Sequence, residues 1–176
     1  MRRLHNAGGQ IVLMIDGSLP PGADGPPLHV HILEHEEVIV KAGTLGAQVG
    51  GEKIIVPTGG TAILPKGIAH RWWNAGDDLL ELSGSVVPAV DLDRYLQGVF
   101  AVLNASSSGR PSIFHFAHVL WRHRDTQSFS IPAPAIQRIV LPVLLFIGCI
   151  LGKYRGSSWP GAPESCPGAP LVDANA

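Results

Sequence analysis

Between residues 28 and 87, short runs of β-branched and alternating residues follow one another with glycine at nearly every junction. No stretch there repeats at the helical period. The runs cover 28–32, 37–41, 45–49, 52–56, 61–64, 69–73 and 79–87, and one more, Gln10 to Ile15, precedes them. Their separators are Ala42-Gly43, Gly50-Gly51, Thr58-Gly59-Gly60, Lys66-Gly67 and Ala75-Gly76-Asp77. Many short strands with glycine turns read as an antiparallel barrel or jelly roll, in which alternate residues line the interior. Gly50-Gly51 suits a two-residue hairpin. Asp16-Gly17 and the Pro20-Pro21-Gly22 turn are expected to end the first strand, leaving 17–27 as a rim connection or partial lid.

Two polar clusters sit within this framework. The first reads HVHILEHEEVIVKAG from His29 to Gly43, and the second reads GGTAILPKGIAHRWWN from Gly59 to Asn74. On a strand, residues two apart share a face, so His29 and His31 present two imidazoles to one side while Val30 faces the other. With a carboxylate from the next strand and an imidazole from a distant one, the set is three nitrogens and an oxygen. That set suits a first-row divalent ion and leaves positions for water or substrate if the ion is octahedral. No cysteine takes part, so a thiolate site is excluded. Glu34 and His35 are expected in a solvated turn after His31, and Glu37 is expected to face away from Glu36.

These clusters resemble the two motifs of the cupin superfamily, G-x5-HxH-x3,4-E-x6-G and G-x5-PxG-x2-H-x3-N. His29, His31, Glu36 and Gly43 match the first, and Gly59, Pro65, Gly67, His70 and Asn74 match the second. The opening glycine of the first motif falls on Ala23, flanked by Gly22 and Gly25. The resemblance implies a mainly β fold, a double-stranded β-helix or jelly-roll barrel followed by C-terminal α-helices. It also implies that His29, His31, Glu36 and His70 are the ligands of a divalent metal (iron, manganese, nickel, cobalt or zinc). Metal-binding cupins include dioxygenases, isomerases, decarboxylases, lyases and non-catalytic binding proteins, so the reaction stays open. One reading is a dioxygenase acting on a small apolar or aromatic compound, in which Glu36 stays bound or moves to take a substrate proton. The alternatives are a metal-dependent isomerase or lyase, for which Glu81 is the one further carboxylate on a predicted strand, and a non-catalytic small-molecule or metal-binding module.

Strand parity proposes the lining. Glu36 shares a face with Val38 and Val40, and His70 shares one with Trp72, so these three form the expected substrate wall. Trp73 faces outward and is expected to pack on the C-terminal helices or a second subunit.

Beyond Pro88 the apolar period changes to three or four, so the chain divides into a barrel at 1–89, a helical extension at 90–155 and a disordered tail at 156–176. Asp91 and Ser112 are expected to cap helices reaching about Asn104 and His123, and a third should run from about Pro134 to Leu151, kinked or divided at Pro142. Ile113, Phe116, Ala117, Leu120 and Trp121 would form the buried face of the second. His115, His118 and Arg122 gather opposite, as a solvated basic face or a second site.

The fourteen residues between Arg138 and Lys153 carry no charge, yet at about 1.5 Å per residue they reach about 21 Å, short of a bilayer core of about 30 Å. Such a helix must be covered, and a homodimer or a peripheral membrane contact through 139–152 would do so. A net charge of -1, from 13 basic and 14 acidic residues, provides no field for a nucleic-acid backbone. Cys149 and Cys166 do not read as a disulfide framework, and the arginines at the start are not followed by an apolar core, so a cytoplasmic protein with a small-molecule ligand is expected.

Overall fold

The computed structural model describes residues 1–105, 110–130 and 132–155. The expected disordered tail at 156–176 lies outside the described residues. The described residues divide into two compact units, Met1–Asp93 with Arg124–Pro134, and Arg94–His123 with residues 135–155.

The first unit carries β1 (Arg2–His5), β2 (Ile11–Leu19), β3 (His29–His31), β4 (His35–Ala42), β5 (Thr44–Val49), β6 (Glu52–Pro57), β7 (Thr61–Leu64), β8 (His70–Asn74), β9 (Leu80–Val87) and β10 (Gln127–Phe129). They form two five-stranded antiparallel sheets, β1-β2-β9-β4-β7 and β10-β3-β8-β5-β6, the jelly-roll arrangement expected of a cupin barrel. Alternation decides which side chains go inside. Val38 and Val40 of β4, Leu45 of β5, Val56 of β6, Ala62 and Leu64 of β7, and Leu80 and Leu82 of β9 form one buried cluster. Each large aliphatic side chain buried there stabilises the fold by about 1.5 to 3 kcal/mol.

Glycines set the junctions that hold this register. Gly43 takes a φ of 80° between β4 and β5, and a Cβ there would lie 2.7 Å from the Leu79 carbonyl, so only a bare α-carbon fits. Gly46 serves a different purpose. A Cβ on it would lie 2.3 Å from the Trp73 indole, and the Arg71 guanidinium sits 5.6 Å from the Trp73 ring. Trp73 therefore finds cover on its own sheet, over Gly46 and beside Arg71, which the expectation of a helix or subunit contact did not foresee.

Three strand features depart from the sequence reading. β2 does not stop at Asp16-Gly17 but continues to Leu19, because β9 is long enough to pair with it throughout (Gly17 opposite Leu82, Leu19 opposite Leu80). β1 forms an additional exposed edge, tied down by Arg3, whose Nε lies 2.7 Å from Asp93 Oδ2 and whose Nη1 donates to the Ala89 carbonyl. Finally, residues 90–155 are not all helical. β10 returns to the first unit and pairs with β3, placing Gln127 opposite His31.

The second unit contains α1 (Leu92–Asn104, continuing from the first unit), α2 (Ile113–Arg122) and α3 (Pro134–Ile150). Ser112 caps α2 by accepting from the His115 amide, as expected. Gly98 lets Val119 approach, since a Cβ at 98 would be 3.1 Å from it. Tyr154 lies against Gly148, donates its hydroxyl to the Phe114 carbonyl at 3.2 Å, and meets the His115 ring edge-on and the His118 ring at a tilt. Those two histidines thus pack on an aromatic ring instead of forming a solvated basic face, and burial lowers His118 to about 4. Ile113 is exposed, not buried. α3 continues as one helix through Pro142, so of the expected kink or division the division does not occur, and Cys149 is disulfide-bonded, contrary to the unpaired reading. Among the described residues no helix is long and apolar enough to cross a membrane.

Candidate metal centre

His29 and His31 come from β3 and His70 from β8, two strands that pair with His29 opposite His70. The pleat that puts His29 and His31 on one face therefore also brings in His70. Gly67, at a φ of 76°, donates its amide to the His31 carbonyl at 2.8 Å and so ties the turn before β8 to β3. Asn74, the last residue of the second cluster, has a structural task. Its Nδ2 donates to the carbonyls of Leu19 and Asp78, and its Oδ1 accepts from the Gly76 amide.

The donor nitrogens of His29, His31 and His70 all lie within 4.8 Å of one another. Each ring has one nitrogen inside the cluster and one outside. His29 Nδ1–H donates to the Pro27 carbonyl at 2.8 Å and His70 Nδ1–H to the Ile68 carbonyl at 2.9 Å. A carbonyl can only accept, so both neutral rings carry a bare lone pair on Nε2. His29 Nε2 is 3.0 Å from His31 Nε2, and His70 Nε2 is buried with no hydrogen-bond partner. Lone pairs gathered this closely, one of them orphaned, fit a cation. Two nitrogens held at about 2.1 Å from one ion and at right angles would be about 3.0 Å apart. Burial lowers His29 to about 4 and His31 to about 2, with the neighbouring imidazoles contributing, so the rings stay neutral and available to a metal at pH 7. These three residues can coordinate a divalent metal ion.

Glu36 begins the inner face of β4, and its Oε2 is 3.8 Å from His31 Nε2. It stands beside the three-imidazole group and does not belong to that tight set. Burial, then the nearby Glu34 carboxylate, pushes its acid up to about 7. Val38 and Val40 continue the same face into the buried cluster, and Trp72 packs against it partly buried. Glu81 points to solvent, which removes it from the centre, and His35 is exposed as expected.

Glu34 is the residue that sequence reasoning misplaced. Far from solvated, it is 0% exposed. Its Oε1 accepts from the amides of Val90 and Leu92 at 3.0 and 3.3 Å, and its Oε2 accepts from Gln127 Nε2. A turn glutamate after a histidine pair carries no local signal of burial, because every one of the hydrogen-bond donors holding it is at least fifty-six positions away in sequence.

The family model described as "Cupin domain" matches residues 6–87. Over 53 residues the chain is 36% identical to oxidoreductase iacF of Pestalotiopsis fici, a match covering 30% of this chain and 26% of that protein. Among solved structures, it is similar to a cupin protein from Bacteroides fragilis (23% identity, 44% of this chain and 66% of that one, TM-score 0.42). It is also similar to the Cnp3 cupin domain of Schizosaccharomyces pombe (16% identity, 55% and 69%, TM-score 0.43). A third is a sugar phosphate isomerase of the cupin superfamily from Silicibacter pomeroyi (27% identity, 48% and 55%, TM-score 0.41).

Proposed function

Because the chain belongs to the cupin family through residues 6–87, we propose that it binds one divalent metal ion through His29, His31 and His70 and promotes proton transfer on a small substrate, as an isomerase or lyase does. The observation that carries this is Glu36. It lies 3.8 Å from His31 Nε2 but outside the tight nitrogen set, so a carboxyl group is at hand beside the centre. A divalent ion there would polarise a substrate oxygen and acidify the adjacent C–H or O–H. Glu36 would then accept or return the proton, in place of Glu81, the one further carboxylate that the sequence offered as a separate base. Val38, Val40 and Trp72 would exclude water from that face. Elemental analysis of the purified protein, followed by turnover with zinc under strict anaerobiosis, tests the reading. Loss of all turnover without oxygen would overturn it.

The second reading is oxygen-dependent oxidation of a small apolar or aromatic compound. Two things favour it, the aliphatic character of the wall and the similarity over 53 residues to a protein named an oxidoreductase. Activity with iron that vanishes both in zinc and without oxygen would select it. A tightly held ligand with no turnover under either condition would select a binding module.

For partners we propose self-association through α3. Ile136, Ile139, Val143, Phe146 and Ile150 recur at spacings of three and four and are all exposed, Ile139 by 70% and Phe146 by 66%. That spacing is the seam of two paired helices, so a second copy of the same helix is the occupant it fits. Sedimentation should give a two-chain mass that falls to one chain in Ile139→Glu/Phe146→Glu. A one-chain mass that binds anionic vesicles would replace the dimer with membrane contact through 139–152.

A further inference from the structure

The three imidazoles of the centre are alike on the inside and unlike on the outside. His29 and His70 rest their Nδ1–H groups on backbone carbonyls, Pro27 and Ile68. His31 has no carbonyl there. Its Nδ1 is buried without a hydrogen-bond partner, and a carboxylate oxygen faces it, Glu34 Oε2 at 3.7 Å. The side chains of this pair are 3% and 0% exposed, so no solvent screens them.

Glu34 is itself held from three sides. The amides of Val90 and Leu92 bond one oxygen. Gln127 of β10 bonds the other at 2.5 Å, the same oxygen that faces His31. A buried carboxylate that accepts this many bonds is costly to form unless its charge is used, because desolvation works against it. From the spacing and this anchoring we infer that Glu34 is the positioning residue of the metal centre. It holds His31 in the tautomer with the proton on Nδ1 and the lone pair on Nε2, and it strengthens that nitrogen as a metal ligand. Gln127, delivered by the strand that returns from the helical region, fixes Glu34 in place. Metal-bound histidines commonly give their outer N–H to a carboxylate or carbonyl, and losing that partner weakens metal binding about 10- to 100-fold. Here the assignment falls on a residue outside the four expected ligands, in a turn two positions before Glu36. A movement of under about 1 Å would bring the 3.7 Å separation to hydrogen-bond distance.

The inference rests on the proposed metal site, and the test separates the two. Zinc affinity is measured by chelator competition for the native protein, for Glu34→Gln, and for the exchange Glu34→Gln/Gln127→Glu. The exchange keeps a buried amide–carboxylate pair but turns an NH2 group toward His31, so it protects the fold while removing the acceptor. Both variants should bind zinc 10- to 100-fold more weakly than native. Val119→Ala, in the second unit, should lower the melting temperature and leave zinc affinity unchanged, which separates positioning from general loss of stability. Histidine-selective 15N spectra of the zinc-loaded native protein give a readout that needs no variant to fold. His31 should be protonated at Nδ1, metal-bound at Nε2, and slow to exchange that proton. Native protein that fails to bind zinc would defeat the metal reading itself. Zinc bound with native affinity by the exchange variant, or a His31 bound through Nδ1, would overturn the role of Glu34 alone.

Discussion

Replacing His70 by alanine is the most informative single perturbation, because its effects with and without metal should diverge. His70 is 0% exposed, so truncation leaves a cavity, and losing a buried ring of this size ordinarily costs about 3 to 5 kcal/mol. In the metal-free protein part of that is offset, since the Nε2 it removes is a buried group without a partner, a liability of about 1 to 3 kcal/mol. Metal-free His70→Ala should therefore be destabilised by only about 2 kcal/mol. The native protein at a hundredfold excess of zinc over Kd should gain about 2.7 kcal/mol. For a chain of 176 residues that corresponds to a rise of roughly 5 to 11 °C in Tm. The variant should show almost none of this rise, because two imidazoles remain where three converged. Differential scanning calorimetry with and without zinc measures both terms. An undiminished zinc-induced rise in His70→Ala would refute the three-imidazole centre, and a metal-free loss beyond about 5 kcal/mol would refute the offset from the orphaned nitrogen.

The acid side of the stability curve should carry the mark of the same site. Burial lowers His29 from 6.5 to about 4 and His31 to about 2, so their contribution is intact above pH 6.5 and is lost as the pH falls toward 4. Glu36, raised from 4.5 to about 7, and Glu34, also raised by burial, act in the opposite sense over that range, but His70 and His118 are lowered by burial as well, so the histidines outnumber the two carboxyls. Urea midpoints of metal-free protein should fall between pH 6.5 and 4.5, and more steeply in Glu36→Gln; constant midpoints would contradict this. Gly46→Ala should destabilise the barrel by about 1 to 3 kcal/mol, since its Cβ would fall 2.3 Å from the Trp73 indole, and tryptophan emission should shift with it. Leu45→Ala, at a core position 1% exposed, should cost about 2 to 5 kcal/mol by chemical denaturation.

Period-two alternation and glycine punctuation were enough to locate β3 to β9 within a residue or two, because those signals are local and strand pairing follows them. The shared face of His29 and His31 was legible for the same reason, whereas Glu36 and His70 were singled out through the resemblance to the cupin motifs. The capped start of α2 was also local. What local sequence could not settle were quantities set by partners. Whether β2 ends at Gly17 depends on the length of β9, and whether Trp73 is bare depends on Gly46 beneath it. Glu81 faces solvent by the register of β9, which sequence parity alone left open.

The sequence by itself determined the antiparallel strands and the shared face of His29 and His31, since alternation, turn glycines and the two-residue histidine spacing act over a few positions of chain. Only the tertiary structure decided what stands behind those imidazoles. Glu34 looks like any solvated turn glutamate until Val90, Leu92 and Gln127, from 56 to 93 positions away, surround it. Burial of a charge depends on where distant segments meet, and that information is spread over contacts no short window of sequence contains.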